Sequence, residues 1–327
     1  MEKEAANIFN ISNEQEFNTA CLSIFKKQSQ EIEVYREFVL NLGVKTEEVI
    51  HYTQIPFLPI EFFKNHKIIA PQAFAEVVFT SSGTTGMQTS QHFVQEVTLY
   101  EKSYLKGFKK FYGQVNETCF LALLPNYLER EGSSLIYMVK DLIEKTKHPK
   151  SGFFLYNHQE LYETLSSLKK TNQKTVLIGV TYALLDFIEN YNLNFPNLVV
   201  METGGMKGKR KEMIREELHQ VLCDGFGITH VHSEYGMTEL LSQAYSLGDG
   251  IFNCVPWMKV LIRDTNDPLS LLEGEKAGGI NVIDLANINS CSFIATQDLG
   301  KIYPNGSFEV LGRFDQSDVR GCNLMVG

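Results

Sequence analysis

Hydroxyls and glycines crowd one stretch of this chain, Phe79-Thr80-Ser81-Ser82-Gly83-Thr84-Thr85-Gly86. Ser81, Ser82, Thr84 and Thr85 offer donors, while Gly83 and Gly86 permit close backbone approach to a ligand. Successive backbone N–H groups in such a turn form a nest that takes an anion. The apolar run Val77-Val78-Phe79 ahead of it reads as a strand, and a helix is expected from about Val94, too distant to lend its dipole. The predicted chemistry is phosphate binding. This is not a Walker A loop, because Met87 and Gln88 follow Gly86, and G-x-G-x-x-G is absent. Taken alone, the stretch reads equally well as a polar surface turn.

A second stretch, Tyr235-Gly236-Met237-Thr238-Glu239, puts a ring, a hydroxyl and a carboxylate close together. A flat ring stacks on a base, a hydroxyl donates to phosphate, and a carboxylate suits a hard cation. Standing alone, it is also an ordinary strand-to-helix turn. His230, His232 and Glu234 alternate just upstream, so on a strand they share one face. With no further ligand motif, a pocket or core histidine is favoured over a zinc site. Gly204-Gly205-Met206, Thr296-Gln297-Asp298 and Gly312-Arg313-Phe314-Asp315 complete the set.

The order of these pieces resembles that of the adenylate-forming enzymes, whose phosphate loop reads T-S-G-T-T-G. Within them the chain is most similar to the long-chain acyl-protein synthetases of bacterial bioluminescence, the LuxE family. Supporting segments are Ile55-Pro56-Phe57-Leu58-Pro59-Ile60, Leu124-Pro125-Asn126-Tyr127, Glu202-Thr203-Gly204-Gly205-Met206 and Arg320-Gly321-Cys322. The resemblance covers nearly the whole chain.

The resemblance implies ATP and Mg²⁺ as cofactors and a carboxylic acid, a fatty acid by family expectation, as substrate. Ser81, Ser82, Gly83, Thr84, Thr85 and Gly86 would hold the polyphosphate. Gly204, Gly205 and Tyr235-Gly236 would face adenine, Thr238 the α-phosphate, and Glu239 the metal. Asp298 and Arg313 would contact the ribose, although Gln297 replaces the glycine of the family's usual T-G-D. His232 and Met206 would line the acid pocket.

The family's usual continuation, a mobile lid carrying a catalytic lysine, is not expected after Asp315. Acyl-protein synthetases share this short ending and place an acyl-accepting cysteine there, at the position of Cys322. Cys322 sits among Asp318, Arg320, Gly321 and Asn323 rather than in an apolar run, and a nearby arginine favours a thiolate. A C-terminal strand that packs Cys322, Leu324 and Val326 is the alternative. The acyl group would then pass to a partner, a reductase as in the family. Transfer to coenzyme A or a carrier-protein thiol, or an inactive adenylate-binding subunit, are the other readings.

The elements that must position these residues alternate. Helices are expected at 14–40 with a break at Gln28 to Gln30, and at 98–111, 133–143, 160–168, 183–188 and 209–222. Strands are expected at 119–124, 153–156, 175–178, 198–201 and 228–231. Alternation of this kind implies βα units around a largely parallel sheet, and the uninterrupted Val, Leu and Ile fit strands buried on both faces. Beyond Gly248 only short strand candidates remain, at 255–262, 279–283, 292–295 and 307–311. The fold class is thus α/β, with an α/β core over 1–247, a β-rich subdomain over 248–312, and a hinge remnant and tail over 313–327.

The 327 residues carry 43% hydrophobic and 21% charged residues and a net charge of −9, which argues against a nucleic-acid partner. The cluster Lys207, Lys209, Arg210 and Lys211 reads as a solvated helix start. No apolar run is long enough to span a membrane, and Met1-Glu2-Lys3-Glu4 is unlike a signal peptide. Cys21, Cys119, Cys223, Cys254, Cys291 and Cys322 form no C-x-x-C pair, so a reduced, cytoplasmic protein is expected.

Overall fold

A computed structural model describes residues 8–81, 89–125, 132–204 and 213–314. Along the chain, helices α1 (Glu14–Glu31) and α2 (Glu33–Asn41) lead to strand β1 (Leu58–Pro59) and the short α3 (Phe62–Asn65). Strands β2 (Val77–Thr80) and β3 (Gln91–Val94) precede α4 (Val97–Tyr112). Then come β4 (Cys119–Leu123), α5 (Ser134–Thr146), β5 (Gly152–Phe154), α6 (His158–Lys170), β6 (Thr175–Val180), α7 (Thr181–Asn190), β7 (Leu198–Thr203) and α8 (Arg215–Phe226). The alternation of strands and helices then gives way to strands joined without an α-helix among the described residues: β8 (His232–Tyr235), β9 (Ala244–Ser246), β10 (Ile251–Asn253), β11 (Met258–Arg263), β12 (Ala277–Asp284), β13 (Phe293–Ile302) and β14 (Phe308–Arg313).

Two compact units result: one of residues 1–103, 236–243 and 253–327, the other of 104–235 and 244–252. The expected divisions at 247 and 312 run consecutively, whereas these units interleave. The reason lies in the N-terminal helices. Gln28 of α1 is fully buried and bonds the backbone of Asn287 and Ile288, and β1 pairs in parallel with β13. The first hundred residues thus belong with the late β strands.

In the second unit, β5, β4, β6, β7 and β8 run parallel in that order, and β9 adds antiparallel to β8. Every residue of β4 and β6 is buried. Helix α5 packs on β4, and α7 packs on β6 and β7, which is why these strands carry apolar side chains on both faces. Gly179 at the end of β6 is needed for closeness, since a Cβ there would lie 2.6 Å from Leu184. In the first unit β11, β12, β13 and β14 form an antiparallel meander, and β2 and β3 pair as a separate hairpin.

Several element boundaries differ from expectation. The break between the first two helices falls at Ile32, which is extended (φ −94°, ψ 103°) and caps α1 through its N–H to Gln28. Residues 91–94 form strand β3 rather than the start of a helix, and α4 begins at Val97. A buried histidine, His92, breaks the apolar alternation that would have revealed this strand. The expected strand at 228–231 is displaced to His232–Tyr235. Ile228 and Val231 bury their side chains without a ladder, and the ladder begins where Met201 faces His232. His230 is consequently outside the strand and exposed. Of the helix expected over 209–222, residues 213 and 214 are not helical, and α8 starts at Arg215. No described helix is long and apolar enough to cross a membrane.

Candidate functional site

Ser82, Gly83, Thr84, Thr85, Gly86, Gly205, Met206 and Cys322 lie outside the described residues. The remaining expected residues fall in the two units.

In the first unit the hairpin β2–β3 carries Ser81 just past its first strand. The Ser81 N–H donates to the Ser90 carbonyl (3.1 Å) and the Ser90 N–H returns a bond to Ser81 Oγ (2.9 Å). These bonds close the hairpin on either side of residues 82–88. The Ser90 side chain in turn hydrogen-bonds the Glu239 carboxyl. Glu239 is 5% exposed. Burial pushes its carboxyl above the usual range, while Ser90 and the charges of Lys64 and Arg313 pull it back. Ser81, Glu239 and Arg313 are thereby linked in one neighbourhood despite their separation in sequence.

Arg313 ends β14 directly opposite Asp298 in the β13–β14 ladder. Between them Gln297 is the organiser. Its Nε2 donates to Glu61 Oε1 (2.5 Å), and its Oε1 accepts from Arg313 Nη2 (2.8 Å). Thr296 Oγ1 accepts from the Asp298 N–H at 3.1 Å. Beside this part of β13, Arg263, 7% exposed, donates to the carbonyls of Ile280 (2.7 Å) and Thr296 (2.5 Å) and to Asn281 Oδ1 (2.9 Å). A Cβ at Gly279 would lie 2.6 Å from its Cζ, so only glycine leaves room.

Residues 236–243 contain no helix or strand. Thr238 is half-buried, and its carbonyl accepts from His92 Nδ1 at 2.8 Å. His92 Nε2 lies 2.9 Å from Asn287 Oδ1, and Asn287 Nδ2 donates to the Glu239 carbonyl at 2.8 Å. His92 is fully buried, which pulls its imidazole down to about 4 despite these bonds. Asp284, also fully buried, accepts from the Leu241 N–H (2.7 Å), the Ser242 hydroxyl (2.5 Å) and the Ala286 N–H (3.1 Å). Burial pushes that carboxyl up to about 6 against the pull of these donors. Trp257 Nε1 adds bonds to Ser103 and Ser242. Sequence reading missed His92, Asn287 and Asp284, whose lone polar identities inside apolar segments were the available signal.

In the second unit Gly204 follows β7 in the left-handed region (φ +67°), and its carbonyl accepts from Thr181 Oγ1 at 2.6 Å. Tyr235, 8% exposed, sets its ring edge-on to Phe252 at 5.9 Å. His232 and Glu234 share the other face of β8, as alternation requires. The Tyr112 hydroxyl lies 3.3 Å from His232 Nδ1, and burial with the His230 charge lowers this imidazole to about 4. Glu234 accepts from Thr203 Oγ1 at 2.9 Å. Burial pushes its carboxyl to about 7, opposed by that bond and helped by the Glu202 charge. Among the described residues no group of three His, Cys, Asp or Glu is arranged to hold a metal. Cys21, Cys119 and Cys291 are buried, and Cys223 and Cys254 partly so. Burial raises all five thiols, which makes them poor nucleophiles.

Three comparisons bear on this arrangement. The model of the acyl-protein synthetase family, LuxE, matches residues 5–327. No curated protein matches. Among solved structures, the chain is similar to 2-hydroxyisobutyryl-CoA ligase in the postadenylation state with 2-HIB-AMP (TM-score 0.67, 10% identity, 93% of this chain and 69% of that one). It is also similar to an ATP-bound RpMatB-BxBclM chimera, B3 (0.55, 17%, 75% and 49%), and to ATP-bound MatB from Rhodopseudomonas palustris (0.51, 17%, 72% and 47%). The chain therefore spans about half the length of the chimera and of MatB, and at such identities the likeness is one of fold. That fold is the core of the adenylate-forming enzymes, and with the family model matched almost end to end, the chain belongs to the acyl-protein synthetase family, LuxE.

Proposed function

We propose that the protein activates a carboxylic acid with ATP and transfers the acyl group to a cysteine thiol. A substrate carboxylate oxygen attacks the α-phosphorus of ATP, and pyrophosphate leaves. The Cys322 thiolate, its proton released to solvent, then attacks the carbonyl carbon of the mixed anhydride. The C–O bond to AMP breaks and a thioester forms. The observation that carries this reading is the neighbourhood of Glu239, where Ser90 of the phosphate-loop hairpin and the charge of Arg313 converge on one buried carboxyl.

Glu239 suits a divalent cation, because burial opposes its charge and a cation beside it would offset that cost. Bound there, Mg²⁺ would neutralise charge on the polyphosphate. Thr84 and Thr85 would donate to the phosphates, Thr238 to the α-phosphate, and Asp298 and Arg313 would meet the ribose. Gly204, Gly205 and Tyr235 would face the base, while His232 and Met206 would line the acid pocket. We assign a fatty acid as the substrate class and a reductase as the later acyl acceptor, both on family grounds.

The test begins with ATP–pyrophosphate exchange across a series of carboxylic acids. Absence of exchange with every acid would reduce the protein to an adenylate-binding subunit. Cys322→Ser should keep exchange, because adenylation precedes thiol attack, and lose the hydroxylamine-sensitive adduct seen by intact mass. A persistent thioester in that variant moves the acceptor to another cysteine. Acyl transfer to coenzyme A with no protein adduct would instead favour the coenzyme A reading.

A further inference from the structure

Residues 236–243 hold Thr238 and Glu239 without helix or strand, so their backbone must be fixed by other means. One bond is local, from the Leu240 N–H to the Met237 carbonyl (3.1 Å), and others come from side chains far away in sequence. The Thr238 carbonyl is held by His92 from β3, and the next carbonyl, that of Glu239, by Asn287 from the 3-10 turn Leu285–Asn287. His92 and Asn287 also touch each other, at 2.9 Å. A neutral imidazole has one N–H, so with Nδ1 donating to Thr238 the approach of Nε2 to Asn287 Oδ1 is a contact and not a second donated bond. His92, fully out of water, and Asn287, 1% exposed, grip the two consecutive carbonyls side by side. The ring of Phe63 stands edge-on against His92 at 5.7 Å and limits its tilt. Asp284 anchors the following turn through Leu241 and Ser242.

We infer that His92 and Asn287 are positioning residues, a clamp that fixes the Thr238–Glu239 peptide so that the threonine hydroxyl and the glutamate carboxyl are presented in one geometry. The inference rests on the proposed function for what those two groups contact. Each clamp residue acts through the backbone of Thr238 or Glu239. A buried hydrogen bond from one side chain to a main-chain carbonyl constrains direction more than a packing contact does. Its position on consecutive residues leaves the peptide little freedom to rotate.

The experiment compares the full-length protein with Asn287→Leu, similar in size and without a donor, and with His92→Leu and His92→Asn. Hydrogen exchange should quicken about tenfold in the peptide covering 236–243 in both leucine variants. Peptides covering β12 and β13 should exchange as in the wild type. In pyrophosphate exchange the Mg²⁺ midpoint should rise about fivefold or more. His92→Asn, which keeps a donor near the Nδ1 position, should recover part of both effects. Three results overturn the clamp: unchanged exchange over 236–243, an equal rise throughout the unit, or a loosened segment with an unmoved Mg²⁺ midpoint. If wild-type protein shows no pyrophosphate exchange, the proposed function fails, and the clamp itself stands or falls on hydrogen exchange alone.

Discussion

The segment 236–243 and the ends of β7 and β8 carry candidate site residues by opposite means. At β7 and β8 the backbone is satisfied by its ladder, with Met201 facing His232 and Glu202 facing Ser233. Side chains there are released from structural duty, so Glu234 and His232 are left in surroundings that oppose their charges. In the 236–243 segment the relation is reversed. The backbone has no ladder, and His92, Asn287 and Asp284 are committed to holding it. A strand end offers perturbed side chains on a self-supporting scaffold. An irregular segment offers a shaped peptide that depends on buried polar groups elsewhere.

The comparison is most exposed to failure at Asp284. Replacing it with Ala should cost about 3–5 kcal/mol, because two backbone N–H groups and the Ser242 hydroxyl lose a buried charged partner. Chemical denaturation followed by tryptophan emission would measure this, since Trp257 shares Ser242. A loss below about 1 kcal/mol would mean the segment supports itself.

Next in size is Glu239→Gln, which keeps shape and removes charge. Pyrophosphate exchange at low Mg²⁺ should fall about a hundredfold and recover in part at high Mg²⁺. An unchanged Mg²⁺ titration removes Glu239 from metal binding and leaves it a packed acid.

A smaller effect distinguishes the strand end by pH. Glu234 is raised in the fold from 4.5 to about 7. Its contribution to stability is therefore present below about pH 4.5 and is lost as pH rises through 7. Glu234→Gln should leave stability near that of the wild type in mild acid and raise it by about 1–3 kcal/mol above pH 8. His232 runs the other way. Its folded value of about 4 lies below 6.5, so stability present above pH 6.5 is lost as pH falls toward 4. His232→Asn should flatten that acid limb by about 1–2 kcal/mol. Denaturation midpoints from pH 4 to 9 check both, and parallel wild-type and variant profiles would refute the contrast.

Legibility in the sequence followed the same division. Strands β4 and β6 were readable because every position is buried and nearly all are apolar, Thr175 being the polar exception. The β-rich end after Gly248 was readable from its turn residues, and the described residues there hold no α-helix. Strand β3 was not readable, because the residue that faces inward is a histidine used for hydrogen bonding. The displaced β8 shows that apolar alternation marks burial, while the partner strand decides where pairing begins. Gln297 was visible as a departure from a familiar motif, yet its bonds to Glu61 and Arg313 were not.

By itself, the sequence determined the α/β class, the family and the short motifs whose side chains suit a nucleotide and a cation. These depend on residue type and local spacing, which are properties of neighbouring positions along the chain. Only the tertiary structure decided that residues 1–103 join the late strands, that Glu239 lies within reach of Arg313's charge, and that His92, Asn287 and Asp284 hold the segment carrying it. A buried polar group must find a partner wherever the fold brings one, and that choice is made across hundreds of residues where no local period records it.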